Sequence, residues 1–351
     1  MAPRPTGTPA AAAWIWLLLG GLLLAMMLLA LATGRYALSL SQIGAMLLEP
    51  VLPDRWLPLL PDITDMQRRV LWQVRLPRIL MAVLVGSSLA LCGAALQGAF
   101  RNPLVGPQVL GISSGAALGG CLAILLFTSL PLIMGSAFAG GLLAVAAVYY
   151  MGRSQGRTTM LMLVLSGVVC SAFFAALISL VTYFADTNDS LPAIVFWLMG
   201  SFATASYFKL AVIVVPMLAG SLLLYALRFR INILSLGDEQ ASAQGVAVEP
   251  LRWGLLACVT LVVSASVAVS GTVGWVGLVV PHFARMLVGP DHRVLLPASA
   301  LVGGSYMVMV DTLARSLSSA EIPLGVMTAL IGAPVFAWLL RRTHARGWRH
   351  D

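Results

Sequence analysis

Apolar runs follow one another along almost the whole chain, separated only by short polar stretches. About 20 mostly apolar residues are needed to carry a helix across a bilayer. Runs of roughly that kind occupy 14–33, 77–99, 108–127, 131–151, 159–184, 208–227, 254–271, 275–289, 295–313 and 323–340. Backbone N–H and C=O groups find no water in lipid, so each run must satisfy them within its own helix. The runs are continuous rather than alternating, which argues against a β-barrel. The expected fold is therefore all-α, a polytopic membrane helix bundle of about ten transmembrane helices. The 275–289 run is short and holds Pro281, which leaves its ends open.

Composition points the same way. Hydrophobic residues make up 60% of the chain and charged residues 10%, against roughly 25% charged in soluble domains. A water-facing exterior cannot be built from that mixture. No soluble segment interrupts the pattern, so one transmembrane domain is expected over 1–351, with its spanning core at 14–342. Arg4 precedes the first run, but that run is too long for the apolar region of a signal peptide and reads as a retained helix. Cys92, Cys121, Cys170 and Cys258 lie inside apolar runs with no C-x-x-C spacing, and read as small buried hydrophobes rather than a disulfide or zinc set.

The net charge of +8 is a matter of orientation. Arg101, Arg153, Arg157, Arg228, Arg230, Arg252, Arg293 and the C-terminal arginines fall on one side of the spans. Apart from six arginines in or beside the long 34–76 segment, the other side holds only Lys209 and Arg315. Basic residues collect on the cytoplasmic face, so both termini are expected in the cytoplasm. No soluble basic domain exists to hold nucleic acid, so none is expected as a partner. The tail RRTHARGWRHD reads as an anchor at lipid headgroups.

Three segments between the spans stand out. The outside loop 34–76 is rich in Pro, Asp and Arg. The outside segment 185–207 carries LPAIVFWLMGSF, too short to span and bearing Trp197, as an interfacial or re-entrant helix would. The inside loop 228–253 contains SLGDEQASAQGVAVEP. There Gly237 and Gly245 bracket a short stretch of helix formers, and Asp238 and Glu239 suit the positive end of a helix dipole. Ala241 and Ala243 would leave a low-profile surface for a partner. A helix that merely joins two spans fits these residues equally well. Within the spans, Gly111, Gly115, Gly119, Gly120, Gly303 and Gly304 would let helices approach closely.

No catalytic constellation is present. His282, His292, His344 and His350 are scattered, and no G-x-x-x-x-G-K-S/T phosphate loop occurs. The one lysine, Lys209, follows no such loop. The chain is not expected to be an enzyme or to need a cofactor, and active transport would require a separate motor.

The stretch VRLPRILMAVLVGSSLALCGAALQGAFRNPLVGPQVLGISSGAALGG resembles the signature of FecCD-type permeases. So do GWVGLVVPHFARMLVGPDHRVLLP, VDTLARS and LGVMTALIGAPVFAWLL. The resemblance runs from Arg75 to Arg342. It implies the permease subunit of an ATP-driven importer in the bacterial inner membrane, working as a homodimer with two cytoplasmic ATPase subunits and a periplasmic substrate-binding protein. The cargo would be an iron chelate, haem or iron–siderophore, with vitamin B12 as the alternative. An ion-gradient-driven secondary transporter is a more distant alternative, since few carboxylates lie within the spans.

By the same resemblance, Gly237, Asp238, Glu239, Ala241 and Gly245 form a coupling helix that docks on the ATPase. Arg75, Arg78 and Arg315 would grip carboxylates of the binding protein, a task for which the guanidinium fork is suited. Arg315 could equally pair with Asp311 one helical turn away. Thr158, Thr159, Ser166 and Cys170 would lie along the pathway or its cytoplasmic gate, although a small-residue packing seam also fits them.

Overall fold

The computed structural model describes residues 9–34, 36–50, 61–127, 129–154, 157–158, 160–318 and 320–347. In chain order the helices are α1 (Pro9–Ala32), α2 (Leu40–Leu48), α3 (Asp65–Arg69), α4 (Leu76–Ala99), α5 (Ile112–Leu126), α6 (Leu130–Gly152), α7 (Met160–Phe184) and α8 (Ser190–Met199). They continue with α9 (Tyr207–Ala226), α10 (Arg228–Leu234), α11 (Asp238–Ala243), α12 (Val248–Ser270), α13 (Val276–Val288), α14 (His292–Ser316) and α15 (Leu324–Gly347). A two-residue antiparallel pairing, Arg153–Ser154 with Arg157–Thr158, joins α6 to α7. The architecture is all-helical, as the apolar runs require.

Among the described residues, 7 helices are long and apolar enough to cross a membrane. They are α1, α4 with its preceding turns, α6, α7, α9, α12 and α14. Shorter apolar helices α5, α13 and α15 stand at the other three expected positions, and α8 falls in the 185–207 segment.

The helices sort into an inner and an outer set. The most apolar windows of α4 and α12 are each 78% buried, whereas those of α1 and α7 are 17% and 22% buried. Lipid tails are as apolar as leucine, so helices gain little from burying apolar surface against one another and must pack closely instead. Glycine provides that approach at two crossings. A β-carbon at Gly86 would run into the Gly303 carbonyl of α14, and one at Gly93 into the Gly277 carbonyl of α13. On the next seam, Gly115 and Gly119 of α5 abut Gly140 and Ser136 of α6.

The described residues of the 34–76 segment include two short helices, α2 and α3. Ser39 and Gln42 form a reciprocal capping box at the start of α2, and Thr64 and Gln67 form another at α3. Each satisfies donors that a helix N-terminus leaves open. The S-x-x-Q and T-x-x-Q spacings announce both. Arg68 of α3 then pairs with Glu49 at 2.5 Å, tying the two helices together. Between α3 and α4 the helix widens into a π-helical turn over Val70–Arg75.

Before α13 the backbone runs non-helically through 271–274. Trp275 then adopts φ 68°, a left-handed value uncommon outside glycine.

Candidate functional sites at the two ends of the bundle

At one end, Arg75, Arg78 and Arg315 come together around a cavity of about 190 Å³. Asp311 and Glu321 share its wall. Arg75 and Arg315 serve one structural purpose. A helix leaves its last carbonyls without partners, and a cation there also meets the negative end of the dipole. Arg315 donates to the carbonyls of Thr33 (2.6 Å) and Ala30 at the end of α1. Arg75 donates to those of Leu31, Ala32 and Tyr36.

Arg78 is held differently. Its Nε lies 3.0 Å from both oxygens of Asp311, and its Nη2 lies 2.8 Å from Oδ1. Its Nη1 donates to Glu321 at 3.0 Å. Arg315 approaches Asp311 only to 3.8 Å, so the expected same-helix pair is the looser contact. The cavity therefore holds three guanidinium groups against two carboxylates, an excess of positive charge.

These arginines do not stand free on a surface. Arg75 is 5% exposed and Arg78 7%, and both are engaged within the chain. The partner of Arg78 lies 233 residues away in sequence, a pairing that only helix packing creates.

The opposite end carries α11. Gly237 at its N-cap has φ 126°, and Gly245 just beyond it has φ 79°. Both values favour glycine, so the expected bracketing is a pair of backbone turns. Asp238 accepts two 2.9 Å bonds from Arg252, a side chain buried beneath the helix. The outward face presents Glu239, Gln240, Ser242, Ala243 and Gln244. Ala241 departs from its expectation. It is fully buried against the chain itself, because one residue of so short a helix must face inward to hold it down.

Beside α11, Asn232 of α10 donates to Asp291 at 2.7 Å, while its amide oxygen accepts from the His292 N–H at 2.8 Å. This pins α10 to the first turn of α14. Asp291 also binds Arg293, and these hydrogen bonds hold its carboxyl at about 2, below its ordinary range. No spacing along the chain announces the Arg252–Asp238 or Asn232–Asp291 contacts, whose partners lie 14 and 59 residues apart.

On α7, Ser166 and Cys170 share a face, as their spacing predicts. Each is buried to 4% exposure. Cys170 Sγ lies 3.6 Å from Met151 Sδ of α6 and packs beside Gly111. Gly167, on the same face, abuts Val109 and Leu110. In this structure the seam packs helix on helix and does not line open space. The exposed face of α7 is mostly apolar, with Leu161, Leu165, Val169 and Phe173. Thr159 lies outside the described residues, and only the backbone pairing of Thr158 is described.

The model of the FecCD transport family matches residues 22–342. The molybdate import system permease MolB of Haemophilus influenzae is 46% identical over 319 residues, 91% of this chain and 93% of that protein. A protein of Helicobacter pylori described as a probable iron chelatin transport system permease is 43% identical, covering 78% of this chain and 83% of its own. A solved structure, assigned to the metal-chelate type of ABC transporter in an inward-facing conformation, superposes with a TM-score of 0.84 at 44% identity. The superposition covers 94% of this chain and 99% of that one. With a family model spanning nearly its full length on a bundle of apolar helices, this chain belongs to the FecCD transport family of membrane permeases.

Proposed function

We propose that the chain is the permease subunit of an ATP-driven importer for a metal-bearing solute, working as a homodimer with two ATPase subunits and a binding protein. The observation that carries this reading is α11, held between two positive-φ glycines with an exposed polar face, in a chain matched to a transport family over 22–342. Force applied to Glu239, Gln240 and their neighbours would pass through Asp238 to Arg252 and so into α12. The arginine cavity at the other end suits an acidic residue of the binding protein. Glu321, its more exposed carboxylate, is the group that an incoming acid would displace from Arg78. The Ser166–Cys170 seam would act as a pivot for α7 rather than as the pathway wall.

Two cargoes are favoured by different observations. Iron chelates, haem or iron–siderophore, fit the sequence motifs and the iron chelatin relative. Molybdate fits the 46% identity to MolB over 93% of that protein. Vitamin B12 is the third candidate, carried by the shared motifs and by a cobalamin import permease of Halobacterium salinarum that is 40% identical over 82% of this chain. Proteoliposomes holding the permease, its ATPase and its binding protein should take up one labelled cargo on addition of ATP. Uptake that persists in vesicles lacking any ATPase would sink the importer reading.

A further inference from the structure

A cavity of about 710 Å³ opens at the end of the bundle that carries α8. That is within the range of roughly 300–1,000 Å³ found for ligand sites. Its wall is mostly apolar, with Leu125, Phe127, Leu130, Ile133 and Phe196 among the lining residues. Into it also faces Lys209, the chain's one lysine. Lys209 is 6% exposed, and among the described residues it makes one side-chain hydrogen bond, to Thr204 at 2.6 Å, and no ion pair. An ammonium has three donors. A buried charge without a counter-ion is costly, and among the described residues no carboxylate lies within ion-pair distance of this ammonium, so the site has room for an anion from outside the chain.

Two further observations narrow the anion. Asp186 and Asp189 line the same cavity. Asp186 accepts from the backbone N–H groups of Asn188 and Asp189, whereas Asp189 caps no backbone group on α8. A small free oxyanion would meet these carboxylates as repulsion. A molecule with a phosphate and an ammonium a short distance apart would satisfy both signs. Next to the cavity lies an apolar groove of about 340 Å³ between α6 and α9, floored by Ala268 of α12. Ala268 belongs to both, and α6 and α9 wall both. Phe208 and Val212 of α9 stand half-exposed along that groove.

We propose that this cavity and groove bind one zwitterionic phospholipid of the phosphatidylethanolamine class. The phosphate sits on Lys209 and Thr204, the ammonium lies toward Asp189, and an acyl chain lies along Phe208 and Val212. Lysine suits a phosphate as a point charge. A membrane supplies this occupant at high local concentration, and its polar-to-apolar order matches the order of the walls.

The test uses the full-length permease in nanodiscs of equimolar phosphatidylethanolamine and phosphatidylglycerol, followed by native mass spectrometry of the lipid that stays bound. Wild type should retain phosphatidylethanolamine preferentially. Lys209→Met should lower its occupancy at least about tenfold, the scale of one charge-assisted hydrogen bond. Asp189→Asn should move the preference toward phosphatidylglycerol. Val212→Trp, at a half-exposed position, should lower occupancy of both lipids without disturbing Lys209. Equal retention of both lipids by wild type and Lys209→Met overturns the proposal. So does displacement of the lipid by molybdate, which would make this an oxyanion site.

Discussion

Replacing Asp311 with alanine tests the arginine cavity most directly. The Asp311 carboxylate is almost fully buried, and Arg78 reaches both of its oxygens at 2.8–3.0 Å. Without it, the guanidinium groups of Arg75, Arg78 and Arg315 remain close together, with only Glu321 as a counter-charge. Removing one partner of a buried pair costs roughly 3–5 kcal/mol, because the other charge stays desolvated. At about 1.4 kcal/mol per decade, the unfolding constant should rise by roughly two to three and a half decades. Unfolding in mixed detergent–SDS micelles, followed by far-UV circular dichroism, would read this. A cycle with Arg78→Met separates charge from packing. Removing both partners should cost less than the sum of the single changes, by about 1 kcal/mol or more. A single-variant cost below about 0.5 kcal/mol, or additivity within that margin, would refute the buried-pair reasoning.

Other expectations follow from particular contacts. Gly93→Leu would drive a side chain into the Gly277 carbonyl and should destabilise the bundle by about 1–3 kcal/mol or more, measurable in the same micelle assay. Glu239→Arg should leave the fold intact, since the side chain is exposed, but weaken co-purification with the ATPase or uncouple its hydrolysis from uptake; wild-type coupling would count against the lever. Asp291 is held at about 2 by the side chain and N–H of Arg293 and by Asn232, against an ordinary 3.8. Its stabilising effect is therefore complete above the ordinary value and lost as pH falls through the lower one. Acid titration of thermal stability should show that loss in wild type, and Asp291→Asn, which still caps α14, should lack it.

Much of the molecule is written locally. The apolar runs dictate where helices lie, because lipid offers the backbone no other partner. Gly237 and Gly245 mark the ends of α11, and the S-x-x-Q and T-x-x-Q spacings mark the starts of α2 and α3, because caps and turns act over only a few residues. The family motifs run through α4, α13 and α14 in a readable order.

Tertiary packing decides the rest. Arg78 meets Asp311, Arg315 reaches the end of α1, and Lys209 is buried with Thr204 as its side-chain partner, none of which any spacing along the chain announces. The same holds for Ser166 and Cys170, whose shared face is legible in the sequence while its burial against α6 is not. Helical periodicity says which side chains share a face. Which helix that face meets depends on how closely glycines let backbones approach, and that is a property of pairs of helices rather than of any one of them.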